Sequence, residues 1–239
     1  MSKLRLIIAM SLDGYVAGPG QDAHNPLGVG GMHLHDWVFP LAAWRAPQGL
    51  PGGEVNESTP VVEARLAHVG ATVMGRNMFG GGTGSWGDYT WNGWWGDNPP
   101  FHHPVFVLTH HARERLVCGG GTTFTFVTAG IGSALDQART AAVGKDVSLA
   151  GGAQTARQYL DEDLVDEMEI SLVPIFLGDG ERLFEDLGVG NPRLTNVATV
   201  AAPLMGARPG TSATRSASAR ESASSSASAG ASSSARCVR

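Results

Sequence analysis

The sequence predicts a three-layer α/β domain with a mostly parallel central sheet and helices on both faces. Two observations predict it: short apolar runs recur along the chain between turn residues, and helical repeats of apolar residues separate them. Apolar runs without polar alternation suit strands covered on both faces. Their alternation with helices favours parallel pairing through crossover connections.

Residues 4–10 form the first run, Leu-Arg-Leu-Ile-Ile-Ala-Met, closed by Asp13-Gly14. Residues 71–74, 105–108, 125–127, 147–150 and 168–173 read as strands for the same reason. Val62, Leu66 and Val69 fall at i, i+4 and i+7, and Ile131, Leu135, Ala138 and Ala142 repeat at similar spacing, so both sets predict helices. A third helix is expected over 153–160, directly after two glycines, and a first helix over 35–39. Residues 80–104 hold Trp86, Trp91, Trp94 and Trp95 among Gly, Asn, Asp and Pro. That stretch is too long and aromatic for a plain connector, and reads equally as a lid or cavity wall and as a self-packed loop.

The domain is expected to occupy residues 1–202. Residues 203–239 are rich in Ser, Ala and Arg, with almost no large apolar residue. Such a segment buries too little surface to offset its ordering entropy, so it is expected to be disordered.

The bulk properties narrow the function. A chain of 239 residues with 42% hydrophobic residues builds a sizeable core, and a net charge of −5 without a basic block argues against nucleic acid or anionic membrane as partner. Two distant cysteines, Cys118 and Cys237, make neither a disulfide framework nor a zinc motif. The apolar run at the N-terminus is too short for a secretory signal or a membrane span, so the cytoplasm is the expected compartment. His33 and His35, His102 and His103, and His110 and His111 come in close pairs. None has the i, i+4 helical spacing of a zinc-protease motif, so no metal is expected.

Three strand ends carry groups suited to phosphate. After 147–150 comes Gly151-Gly152-Ala153-Gln154-Thr155, where glycines allow close backbone approach and a helix N-terminus offers N–H donors. After 71–74 comes Gly75-Arg76-Asn77, whose guanidinium suits a phosphate monoester. After 105–108 come Thr109, His110 and His111. Ligands of open α/β sheets lie outside the carboxyl ends of the strands, which makes the three turns one constellation.

Several segments together resemble the dihydrofolate reductase superfamily, in the branch of the C-terminal reductase domain of the bifunctional riboflavin biosynthesis protein. They are Ser11-Leu12-Asp13-Gly14, Met74-Gly75-Arg76, Ala150-Gly151-Gly152, Leu164-Val165-Asp166-Glu167 and Val173-Pro174-Ile175-Phe176-Leu177-Gly178-Asp179-Gly180. The resemblance covers roughly residues 3–200. It implies a dihydrofolate-reductase-like fold, a homodimer, and NADPH lying across the strand ends. Ala9 and Val16 would approach the nicotinamide. Arg76 and Thr109, with His110 or His111, would surround the 2′-phosphate. Gly151 to Thr155 would hold the diphosphate, with a cis Gly-Gly bond. Asp13 and Asp36 are the candidate catalytic carboxylates. Their alternatives are a turn-forming residue before Gly14 and a helix N-cap. The function expected is an NADPH-dependent reductase of a small heterocyclic or carbonyl substrate, pterin-like or flavin-precursor-like. A non-catalytic NADP-binding protein and a true dihydrofolate reductase stay open as alternatives. The sequence departs from its relatives at the end: residues 194–200 supply one strand, but the expected hairpin partner is replaced by the Ser/Ala/Arg run.

Overall fold

A computed structural model describes residues 2–22, 24–80, 82, 84–86, 91–188, 194–203 and 231–238. In chain order the strands are β1 (Leu4–Ser11), β2 (Tyr15–Ala17), β3 (Val69–Gly75), β4 (Pro104–Leu108), β5 (Leu116–Val117), β6 (Thr123–Val127), β7 (Asp146–Gly151), β8 (Glu167–Val173), β9 (Glu181–Arg182), β10 (Thr195–Pro203) and β11 (Ala231–Val238). The helices are α1 (Ala42–Arg45), α2 (Thr59–His68), α3 (Arg76–Phe79), α4 (Gly130–Ala141) and α5 (Ala153–Asp161), with a 3-10 turn at Gly31–His35. The main sheet runs in the order β10-β11-β8-β1-β7-β3-β4-β6-β5. Its centre, β8 through β6, is parallel, and β11 and β5 join antiparallel.

Both faces of the sheet are covered. On one, Leu4 and Leu6 of β1, Ala71 and Val73 of β3, and Val147 and Leu149 of β7 pack on Ala134, Leu135 and Ala138 of α4 and Ala156 and Tyr159 of α5. Each large aliphatic side chain taken fully from water contributes about 1.5–3 kcal/mol, so this cluster dominates the core. The other face carries two smaller clusters. Leu34, Trp37, Val38, Leu41 and Val62 pack with Val173 near β8 and β1. Met74, Phe79, Trp86, Val105, Val107 and Phe124 pack near β3 and β4. A broad cavity is left between these two clusters.

Two resembled segments prove to be one structural unit. Asp13 accepts a hydrogen bond from the Ser11 hydroxyl (2.5 Å) and from the backbone N–H groups of Leu177 (3.2 Å) and Gly178 (2.7 Å). The Ser-Leu-Asp-Gly turn is thereby tied to the Val-Pro-Ile-Phe-Leu-Gly segment. Gly180, at φ 125°, lies where a Cβ would come within 2.2 Å of the Ala17 carbonyl oxygen, so no larger residue fits that contact. Farther along, the Asp166 carboxylate accepts the Leu4 N–H at 2.7 Å, fixing the start of β1 beside β8.

Three expectations need correction. Val69 does not extend the helix; α2 ends at His68 and Val69 turns extended (φ −85°, ψ 130°) to open β3. The first helix expected over 35–39 is instead the Gly31–His35 3-10 turn followed by further turns. Pro40 accounts for part of this, since the residue before proline is pushed out of helical geometry. The third concerns the C-terminal segment. Ala231–Val238 forms β11, inserted antiparallel between β8 and β10, so the hairpin partner is supplied by the Ser/Ala/Arg run itself. Small side chains bury little apolar surface, but a strand inserted between two others also satisfies its backbone hydrogen bonds on both sides. Arg236 adds hydrogen bonds to the buried Glu167 carboxylate. The rest of the expected disordered segment, residues 204–230 and 239, lies outside the described residues.

β8 carries that carboxylate within a buried charge cluster. Lys3, Arg5 and Arg236 meet Glu167, while Arg5 and Arg65 meet Glu169. Burial pushes the Glu167 carboxyl up, but the hydrogen bonds and charges of Lys3 and Arg236 outweigh it and hold it below its ordinary 4.5.

Candidate functional site

The cavity has a volume of about 1000 Å³ and crosses the sheet from β8 and β1 to β3 and β4. At the β3, β4 and β7 side it collects the three turns that the sequence marked. Gly75, Arg76 and Asn77, then Thr109 and His110, and Gly151 through Thr155 all line it. Ala9 and Val16 line it at β1 and β2. His111 is not in the wall; its backbone accepts the Trp86 indole N–H at 2.7 Å and donates to the Thr109 hydroxyl at 3.2 Å.

Arg76 is held rigidly. Its guanidinium lies 3.2 Å from the centroid of the Trp86 ring and donates to Thr109 Oγ1 at 3.2 Å. Stacking on an aromatic face and a bond to a fixed hydroxyl remove the rotamer freedom that a long side chain loses on binding. Arg113 approaches the same indole, 4.8 Å from its centroid, so Trp86 is flanked by two guanidinium groups. Burial lowers the Arg113 pKa.

The Gly151-Gly152 turn opens onto the cavity. Its peptide bond is cis. A Cβ built on Gly152 would meet nothing within 4 Å, so the space above the turn is open. The helix that follows has no side-chain cap, which leaves the N-terminal N–H groups of Ala153, Gln154 and Thr155 to the cavity they line. Gly75 sits so close to this turn that a Cβ there would lie 2.2 Å from Thr155 Oγ1. Glycine at 75 is therefore what lets the two turns share one groove.

Neither candidate carboxylate lies in the cavity wall. Asp13 uses its oxygens on the turn described above; the Ser11 hydroxyl first, then the Gly178 and Leu177 N–H groups, hold its carboxyl below the ordinary 3.8. Asp36 is exposed and bonded to His33 Nδ1 at 2.8 Å. Among the described wall residues the one carboxylate is Glu181.

The sequence did not mark several wall residues. Thr128, Gly130 and Ile131 line the cavity where β6 runs into α4. Gly130 at the start of a helix after a strand was the available signal. His103 lines it from below, its Nε2 2.7 Å from Thr72 Oγ1. Burial, and then the charges of His102 and Lys145, bring its pKa down to about 4, so the ring is neutral at ordinary pH. His35, Trp37, Phe39, Trp44 and Arg65 close the β1 and β8 side. No spacing in the sequence joins these residues. The Trp-rich stretch does both jobs expected of it: Trp86 packs in the core, while Trp94 and Trp95 stand in the cavity wall.

Residues 2–203 match the model of the RibD C-terminal domain family. The chain belongs to that family. A protein of Shewanella sp. PV-4 assigned to riboflavin biosynthesis has a similar structure, with a TM-score of 0.55 at 21% identity, covering 100% of this chain and 99% of that one. Dihydrofolate reductase from Enterococcus faecalis, solved in complex with NADP(H) and RAB-propyl, aligns with a TM-score of 0.49 at 12% identity over 99% of this chain and 96% of its own. A curated Bacillus subtilis (strain 168) protein of uncharacterised function, YwjB, is 39% identical over 44 residues, which is 18% of this chain and 25% of that relative's length. The three-layer α/β fold is thus that of the RibD C-terminal domain family. Among the described residues no helix is long and apolar enough to cross a membrane, and no group of three or more His, Cys, Asp or Glu is placed to hold a metal ion.

Proposed function

We propose that the chain is an NADPH-dependent reductase that transfers a hydride to a small heterocyclic or carbonyl substrate. One observation carries the reading: the uncapped α5 N-terminus behind Gly151-Gly152 and the Trp86-stacked Arg76 open into the same cavity. The first suits a diphosphate and the second a phosphate monoester, and a phosphorylated nicotinamide dinucleotide carries both. When bound, that cofactor supplies the hydride.

The chain's own residues do the rest. The α5 N–H groups neutralise the diphosphate, and Arg76 with Thr109 Oγ1 binds the 2′-phosphate. Ala9 and Val16 offer a small apolar floor at β1 and β2, where a flat ring lies without a polar group to desolvate. His110, exposed at the end of β4, adds a further donor to the phosphate. With Asp13 and Asp36 outside the wall, neither candidate carboxylate delivers a proton beside β1, so the accepting atom takes its proton from water. The same observation disfavours a true dihydrofolate reductase, which places an acid there. It also gives weight to a second reading, an NADP-binding protein without turnover.

Quenching of tryptophan fluorescence by NADPH and by NADH tests the binding. NADPH is expected to bind at least tenfold tighter. In Arg76→Ala that preference is expected to vanish while NADH affinity holds, because a charge-assisted hydrogen bond contributes about 1.5–3 kcal/mol, roughly ten- to hundredfold. Failure of both nucleotides to quench would overturn the reading. NADPH oxidation with a panel of pteridines, flavin precursors and carbonyls then separates a reductase from a silent binder.

A further inference from the structure

The side of the cavity beside β1 and β8 has a chemistry of its own. Its wall is apolar, with Trp37, Phe39 and Trp44 set among aliphatic side chains. His35 stands among them, stacked on Phe39 with ring centroids 5.9 Å apart. Its Nδ1 is shielded from solvent and has no hydrogen-bond partner, and no hydrogen bond among the described residues reaches its other nitrogen. A neutral imidazole carries one donor and one acceptor, so this ring has both to offer. Burial pushes its pKa down, against the opposing charge of Asp36, so the neutral form prevails. The Trp37 indole N–H is likewise buried without a partner.

Charge points the same way. The cation at this side, Arg65, lies 5.3 Å from the centroid of the Trp37 ring, but it is ion-paired with Glu169 and donates to Ser171 Oγ at 2.8 Å. An anion entering here would lose its hydration and meet a guanidinium already matched by a carboxylate. A flat uncharged ring would lose little and bury its faces on aromatic walls.

Taking the other side as the cofactor site, we propose that this side binds an uncharged planar ring substrate that hydrogen-bonds to His35, and that it rejects the phosphorylated form of the same ring. His35 is thus the specificity-determining residue of the substrate half. Either tautomer of the imidazole serves, donating to a ring carbonyl or accepting from a ring N–H.

The test titrates 4-methylumbelliferone and its phosphate ester, by calorimetry, into the full chain saturated with NADPH at slightly acidic pH, where the free phenol is uncharged. The uncharged ring is expected to bind at least tenfold tighter than the ester. His35→Leu is expected to weaken the uncharged ring about fivefold to tenfold, the loss of one hydrogen bond, and His35→Asn to restore part of it. NADPH affinity is expected to stay within about twofold in both variants, which separates a substrate contact from a general loss of structure. Ester binding as tight as the uncharged ring, no binding of the uncharged ring, or an unchanged affinity in His35→Leu would each overturn the proposal. If NADPH itself does not bind, the cofactor reading fails alone; the same titrations into the cofactor-free chain then decide the substrate side by the same outcomes.

Discussion

The two sides of the cavity are made from different materials. At β3 and β7 the wall is largely backbone: Gly75, Gly151 and Gly152 strip it of side chains, and the N–H groups of α5 face the space they leave. At β1 and β8 it is largely side chain, with Trp37, Phe39 and Trp44 around a ring nitrogen that has no partner. A backbone site recognises what every dinucleotide shares, the phosphate, and tolerates little change in its own shape. A side-chain site recognises one molecule's outline and is free to vary. The difference teaches where each kind of mutation strikes: backbone crowding destroys the first side, while a single truncated side chain retunes the second.

The largest effect is expected from crowding the shared groove. In Gly75→Val, side-chain carbons would collide with Thr155, whose Oγ1 already lies 2.2 Å from where a Cβ would sit. Overpacking of this kind costs about 1–3 kcal/mol, and NADPH affinity should fall more than tenfold. Urea denaturation with a parallel NADPH titration checks both; a stable variant with normal NADPH affinity would break the comparison. Comparable destabilisation, but with no preference for either side of the cavity, is expected in Glu167→Gln. It leaves Lys3, Arg5 and Arg236 around a neutral amide, but Lys3 and Arg236 are half-exposed and Arg5 keeps Glu169, so the cost is that of a charged hydrogen bond, about 1.5–3 kcal/mol. Its Glu167 carboxyl, held below the ordinary 4.5, stabilises the fold above that pH and loses this effect as acid protonates it, so the wild-type melting temperature should drop below about pH 4.5 and the variant's should drop less.

Smaller is the effect of His103, at the cavity floor between the two sides. Its pKa is brought from 6.5 down to about 4 in the folded chain, so between those values the unfolded chain binds the extra proton. The His103 contribution to stability should therefore fall as pH is lowered from about 6.5 to 4 and level off below. His103→Gln, which keeps a partner for Thr72 Oγ1, should flatten that slope in a pH series of thermal melts. An unchanged slope would assign the window to another group, with His35 next in line.

How far each side was legible in the sequence follows from its material. Glycines after apolar runs declare a close approach, so Gly75-Arg76 and Gly151-Gly152 could be named from the chain alone. Thr109 followed from its place at a strand end. The β1 and β8 side offered no such sign. His35 lies in a 3-10 turn, Arg65 on α2 and Ser171 on β8, and no spacing in sequence brings three such elements together. Asp13 stood out in sequence for a real reason, but the reason was the turn it ties to Leu177 and Gly178. The Ser/Ala/Arg run misled for the opposite reason. Small polar side chains say little about pairing, because a strand inserted between two others is held by its backbone.

The sequence alone determined the layers, the strand ends and the glycine turns, since these rest on local periodicity and on conformations that few residues adopt. Tertiary structure decided everything that depends on distance across the sheet. It stacked Trp86 under Arg76, moved Asp13 and Asp36 out of the cavity wall, turned His35 toward the cavity without a partner, and slid β11 between β8 and β10. Those outcomes depend on which strands become neighbours, and the order β8-β1-β7-β3-β4 is a property of the folded chain that no local pattern encodes.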